Sequence, residues 1–160
     1  MTRTSERPAS LAQRRLWVLD RMDPGLATHN VAGLVELAGR LDVDALRKAL
    51  MAAVARHEVL RTTLRERDGE PVQVVAAEAS LEWRFTDLST ADDPDTAGRQ
   101  RAAAVAAEPF TLHQGPLVRA EVVRLQPDRH LFVLAGHRVV ADEPSLRLLV
   151  GQLADDYVGK

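Results

Sequence analysis

The chain contains no cysteine. That excludes a disulfide framework, a thiolate nucleophile and a Cys-ligated zinc site. It has no apolar run of about 18 residues, so no transmembrane helix is expected. Its start, MTRTSERP, lacks an apolar signal core, which makes the cytoplasm the expected location. Neither sign of charge dominates: the formal net charge is −2, so neither nucleic acid nor an anionic membrane surface is indicated as a partner. Lysine is nearly missing, at two residues against nineteen arginines, and alanine is abundant, a bias associated with GC-rich bacterial genomes. There is no internal repeat and no low-complexity linker. What is present is 160 residues, 46% hydrophobic and 28% charged, the composition of one ordinary globular domain with a core of useful size.

Residues 1 to 9 are polar and contain Pro8, and are expected to be a frayed, disordered N-terminus. Ser10 and Gln13 form an S-x-x-Q capping box for a helix over Leu11 to Met22, with Ala12, Leu16 and Leu19 on one face. Residues 30 to 39 read as a strand. Asp42 or Asp44 caps a second helix whose Leu46, Ala49, Leu50, Ala53, Val54 and His57 recur at helical spacing. Asp68-Gly69 marks a hairpin turn. Residues 81 to 85 read as a strand and 86 to 95 as an acidic loop, followed by an alanine-rich helix that stops before Pro109. PLVRAEVVRL and RHLFVLAG, joined by QPDR, look like an antiparallel pair deep in a sheet. Pro144 opens a last helix with an apolar stripe of Leu146, Leu149, Val150, Leu153 and Tyr157. The alternation is irregular, so the expected class is α/β, a mixed, largely antiparallel sheet packed with helices.

Four stretches invite a functional reading. SLAQRRLWVL, Ser10 to Leu19, taken alone is a capped amphipathic helix with Trp17 in the core. RHEVLRTTL holds Arg56, His57, Glu58 and Arg61 at a helix end, where the cations suit the helix C-terminus and His57 and Glu58 are able to pair. FTLHQGPLVRA turns at Gly115-Pro116 into a strand and reads as scaffold. GHRVVADEPS sets His137 after a buried strand and Asp142 at a helix start. His137 has the intrinsic pKa of a general base; equally, it is a core histidine held by Asp142, which also serves as N-cap.

Together and in this order, these stretches resemble the condensation domains of nonribosomal peptide synthetases, which share the chloramphenicol acetyltransferase-like fold. They match S-x-A-Q-x-R-L-W-x-L, R-H-E-x-L-R-T-x-F with Leu64 for Phe, F-x-L-x-x-G-P-L-x-R-A, and the place of H-H-x-x-x-D-G. The resemblance covers essentially residues 9 to 158, and residues 10 to 160 are read as the N-terminal lobe only, stopping before the next expected Y-x-D-aromatic motif. It implies carrier proteins presenting substrates on phosphopantetheine arms, with no cofactor bound directly and no metal.

Two departures govern the expected function. The second lobe that would close the reaction tunnel is missing from the match. Within the motif, His137 and Asp142 are kept, but Arg138 stands where the resemblance places the catalytic second histidine, and Glu143 replaces glycine. Arginine does not give up its proton at neutral pH. Arg138 is expected to pair with Glu143 or Asp142 and plug the site. An H-R-x-x-x-D-acid pattern is similar to the non-catalytic X domains of glycopeptide synthetases, which recruit cytochrome oxygenases, and to interface domains that recruit β-hydroxylases. The resemblance therefore implies a docking module for a peptidyl carrier protein or a tailoring enzyme such as a cytochrome oxygenase. The alternative is half of a catalytic condensation domain, with His137 as a residual base and a second lobe as partner. A remnant without a role, or an acyltransferase acting on coenzyme A, is a third reading. A single lobe exposes apolar surface, so a homodimer or a covering partner is expected.

Overall fold

A computed structural model describes residues 4–159. Its central element is the pair β6 (Val118–Gln126) and β7 (Arg129–His137), whose side chains are buried on both faces almost throughout. They lie in the middle of a four-stranded sheet of order β2-β7-β6-β5, with β2 at Asn30–Ala38 and β5 at Glu82–Asp87. Side chains alternate across this sheet. Val118, Ala120, Val122, Phe132 and Leu134 face α2 (Val43–Arg56) and α4 (Glu143–Val158), while Leu131, Val133, Val123 and Leu125 face the side of α3 (Pro94–Ala107). Burial on both faces is why these strands read as nearly continuous apolar runs.

Local chemistry sets the helix ends. The Asp42 carboxylate accepts from the Ala45 amide at 2.8 Å, and the Asp93 carboxylate from the Thr96 amide at 3.1 Å. The α2 stripe of Leu46, Ala49, Leu50, Ala53 and Val54 is buried as its spacing predicts. Gly98 lets α3 close on the sheet: a Cβ there would stand 2.5 Å from Leu125 Cδ2. A second sheet, β1-β4-β3 with β1 at Ser5–Pro8, contains the predicted hairpin, β3 (Thr62–Arg67) and β4 (Glu70–Val75). Its turn residues Asp68 and Gly69 both have positive φ, 52° and 79°, as a two-residue hairpin requires.

The structure departs from the sequence reading in four places. Of the nine N-terminal residues expected to be frayed, Met1 to Arg3 lie outside the described residues, but Ser5–Pro8 form strand β1 on β4. Its order comes from the β4 backbone, a long-range pairing that local composition does not register. In α1 (Leu11–Met22), Ala12 and Leu19 face outward; Gln13 is the buried residue, with Leu16 and Trp17 half-buried. β5 runs to Asp87 and pairs parallel with β6. His57 is the C-cap of α2 and leaves its helical face.

Candidate functional site

The site is built where β7 ends and α4 begins. His137 closes β7, and the turn 138–140 leads to Asp142, the N-cap of α4. Backbone bonds hold the turn from both sides. The His137 amide donates to the Leu117 carbonyl at 3.0 Å, and the His137 carbonyl accepts from Val140 at 3.0 Å and Ala141 at 3.1 Å. The Arg138 amide donates to the His29 carbonyl at 2.8 Å. From α1, the Gln13 side-chain amide donates to the buried Val139 carbonyl at 3.0 Å. The Gln13 carbonyl oxygen accepts from the Ser10 amide at 2.9 Å, so one side chain serves both the capping box and the turn.

His137 is 2% exposed. Its Nδ1 accepts from the Val139 amide at 3.1 Å, so the neutral ring carries its proton on Nε2. Burial, and then the neighbouring His29, push its pKa down to about 4. The His29 ring stands edge-on to it, with centroids 6.2 Å apart. His137 is therefore a neutral core histidine with one nitrogen occupied and the other protonated. Asp142 does not hold it. The Asp142 carboxylate accepts from the Ser145 amide at 2.8 Å, and the Ser145 hydroxyl accepts from the Asp142 amide at 2.8 Å. Those bonds, the Ser145 amide foremost, hold the Asp142 carboxyl below its ordinary range, with Arg138 adding a smaller effect. Through these bonds Asp142 caps α4.

The expected plug does not form. Glu143 pairs with Arg147 one helical turn on, at 2.9 Å, and both side chains are exposed. Position i+4 of the same helix is closer to hand for a first-turn glutamate than the preceding turn. Asp142 is committed to its cap. Arg138 is exposed, and its guanidinium makes no hydrogen bond or ion pair among the described residues.

The Arg56, His57, Glu58 and Arg61 cluster is dispersed across the fold. Arg56 meets Asp156 at 2.6 Å, and His57 Nε2 meets Gln152 Oε1 at 3.0 Å, both on α4. Glu58 pairs with Arg7 of β1 at 3.0 Å, so the expected His57–Glu58 pair is not made. The Arg61 guanidinium donates to the Ala76 carbonyl. These residues tie elements together. Only His57 borders the motif, across a cleft of about 170 Å³ shared with Val140, Ala141 and Ser145.

Sequence reasoning missed His29, Gln13 and Asp20. Burial raises the half-buried Asp20 carboxyl, an effect opposed by nearby His29 and His113. Gln13 was visible as a capping residue, but its reach to Val139 spans 126 positions and leaves no local mark. Among the described residues no group of three or more His, Cys, Asp and Glu side chains is arranged to hold a metal ion.

The family model for the condensation domain matches residues 4–160, and the chain belongs to that family. It is 37% identical over 162 residues to a linear gramicidin synthase of Brevibacillus parabrevis, covering 97% of this chain and 2% of that protein. It is 39% identical over 152 residues to a chondramide synthase of Chondromyces crocatus, covering 94% of this chain and 4% of the relative. Among solved structures, the starter condensation domain of rhizomide synthetase superimposes with a TM-score of 0.89 at 21% identity, over 96% of this chain and 37% of that one. The first condensation domain of the CDA synthetase gives 0.86 at 25% identity, over 96% and 40%. The fold is thus that of the chloramphenicol acetyltransferase-like condensation domains, and the chain spans only part of one.

Proposed function

We propose that this chain is a condensation lobe whose chemistry has been removed, and that it serves nonribosomal peptide synthesis as a docking module for a carrier protein or a tailoring enzyme. The observation that carries this reading is Arg138. An always-charged, solvent-facing guanidinium stands where an imidazole would assist amine attack. Its neighbour His137 offers no free basic nitrogen. Loss of a positioned acid/base costs roughly 10²–10⁴ in rate. Carrier-borne phosphopantetheine is the group such a module would meet.

The test is an amide-formation assay with carrier-loaded aminoacyl donor and acceptor, run alongside binding of the same carriers and of an oxygenase encoded nearby. Binding without product supports the reading. Product from the wild type overturns it.

One observation favours a second reading, a catalytic half-site. The imidazole of His29 lies beside His137 and one backbone bond from Arg138. Under that reading His29→Ala abolishes amide formation and Arg138→Ala does not.

A further inference from the structure

One face of the β3–β4 hairpin gathers cations without their counter-ions. Strand side chains alternate between faces, so Arg61, just before β3, shares a face with Thr63 and Arg65. These three line a cleft of about 130 Å³ together with Ser80, on the connection after β4, and Gln114, on the turn before Gly115. That volume is about four times a water's share of the liquid, room for one tetrahedral oxyanion. The turn is held close to β3: a Cβ on Gly115 would stand 2.6 Å from Thr63 Cγ2. It leads into Leu117, whose carbonyl accepts from the His137 amide.

No carboxylate lines this cleft. Those on the three strands of the sheet are engaged elsewhere: Glu6 by Arg67 at 2.7 Å, Glu66 by Arg21 and Glu70 by Arg14. Glu6 is the one that shares the face, two strands from Thr63 in the register Glu6↔Val74↔Thr63. Glu58, which precedes β3, is taken by Arg7. Glu78, on the connection after β4, is exposed and makes no ion pair among the described residues. Arg65 is exposed, and its guanidinium makes no ion pair or hydrogen bond among the described residues. Arg61 gives one nitrogen to the Ala76 carbonyl, while its Nε is buried without a hydrogen-bond partner among the described residues. An unmet donor on a charged group is costly to keep.

We propose that this cleft binds the dianionic phosphate group of a small phosphate monoester. Arg61 and Arg65 supply the positive charge, and guanidinium forks match phosphate oxygens two at a time. The Thr63 and Ser80 hydroxyls and the Gln114 amide are further donors, coming from three separate segments. A phosphate group offers three acceptor oxygens to such a set, where a carboxylate offers two. This site goes beyond the docking reading and does not depend on it.

The test is calorimetric titration of the intact protein with methyl phosphate at about pH 7.5, where a monoester is dianionic, with ionic strength held constant by sodium chloride. The expected result is saturable binding at one site. Arg65→Gln should weaken it by about tenfold or more, and Thr63→Val by a smaller factor. Arg47→Gln, at an exposed arginine of α2 with no partner among the described residues, should leave it unchanged. Arg65 makes no bond within the protein, so unchanged melting without ligand establishes that its variant folds. Absence of saturable binding overturns the site, and so does equal weakening by Arg47→Gln, which would mark a general attraction to cations. Tighter binding of inorganic phosphate than of methyl phosphate assigns the cleft to the free ion and overturns the monoester. Dimethyl phosphate binding as tightly as methyl phosphate means that a monoanionic diester suffices, as on a carrier-borne arm, and overturns it as well.

Discussion

The protein handles charge in opposite ways in two places. Between β5, β6 and α3 it buries charge and satisfies it. Glu121 is fully buried, receives both Nε and Nη2 of Arg101 at 2.7 and 2.9 Å, and accepts the Thr86 hydroxyl at 2.7 Å. Arg119, also buried, donates to Glu82 at 2.9 Å and to the Glu108 carbonyl at 3.0 Å, over the ring of Phe110. At the end of β7 the buried group, His137, is neutral, and the charged group in the turn that follows, Arg138, faces water unpaired. The first region uses ions as scaffold. The second leaves its cation in water.

The sharpest way to break the scaffold side is Arg101→Leu. It strands the Glu121 carboxylate in the core with only the Thr86 hydroxyl, and should cost about 3–5 kcal/mol in urea unfolding. Adding Glu121→Leu should recover most of that, because an apolar pair of similar volume replaces the ion pair. If the double variant is no more stable than the single one, the pair is not the unit the geometry indicates.

On the other side, the buried imidazole predicts acid sensitivity. Folding lowers the His137 pKa to about 4 from an ordinary 6.5. Between those values the unfolded chain binds a proton that the folded chain refuses. Stability from this group is therefore complete above about pH 6.5 and is lost as pH falls towards 4, by at most about 3 kcal/mol. His130, also buried and also shifted down chiefly by burial, adds a loss of the same sign. Urea midpoints from pH 7 to pH 4.5 read the slope, and the His137 ring resonances locate it. Titration of His137 near 6.5 in the folded protein would sink this account.

The same division explains what was legible in the sequence. Caps and tight turns are local, so α1 at Leu11–Met22, the Asp68-Gly69 hairpin and the central β6–β7 pair could all be read directly. The motif residues His137, Arg138 and Asp142 were found by their resemblance to a family pattern, and they lie along one strand-to-helix connection, with His137 closing β7, Arg138 in the turn and Asp142 capping α4. What could not be read was nonlocal. β1 exists because β4 offers a backbone edge. Glu143 chose Arg147 over Arg138, and Glu58 chose Arg7 over His57, among exposed partners of nearly equal merit. His29 reaches the site only because β2 pairs with β7 in the register Asn30↔His137.

The smallest stability effect is expected at Arg138, the residue on which the proposed function rests. Arg138 contacts no partner with its guanidinium, so Arg138→Ala should change stability by no more than about 0.5 kcal/mol, within the range of ordinary surface substitutions. Its backbone amide still donates to His29, because alanine keeps that group. The melting temperature should therefore hold to within a few degrees. A fall of roughly 8 °C or more would mean that the guanidinium braces the turn, and Arg138 would then join Arg119 as scaffold. An unchanged melt leaves the guanidinium without a structural role, as the proposed docking reading requires.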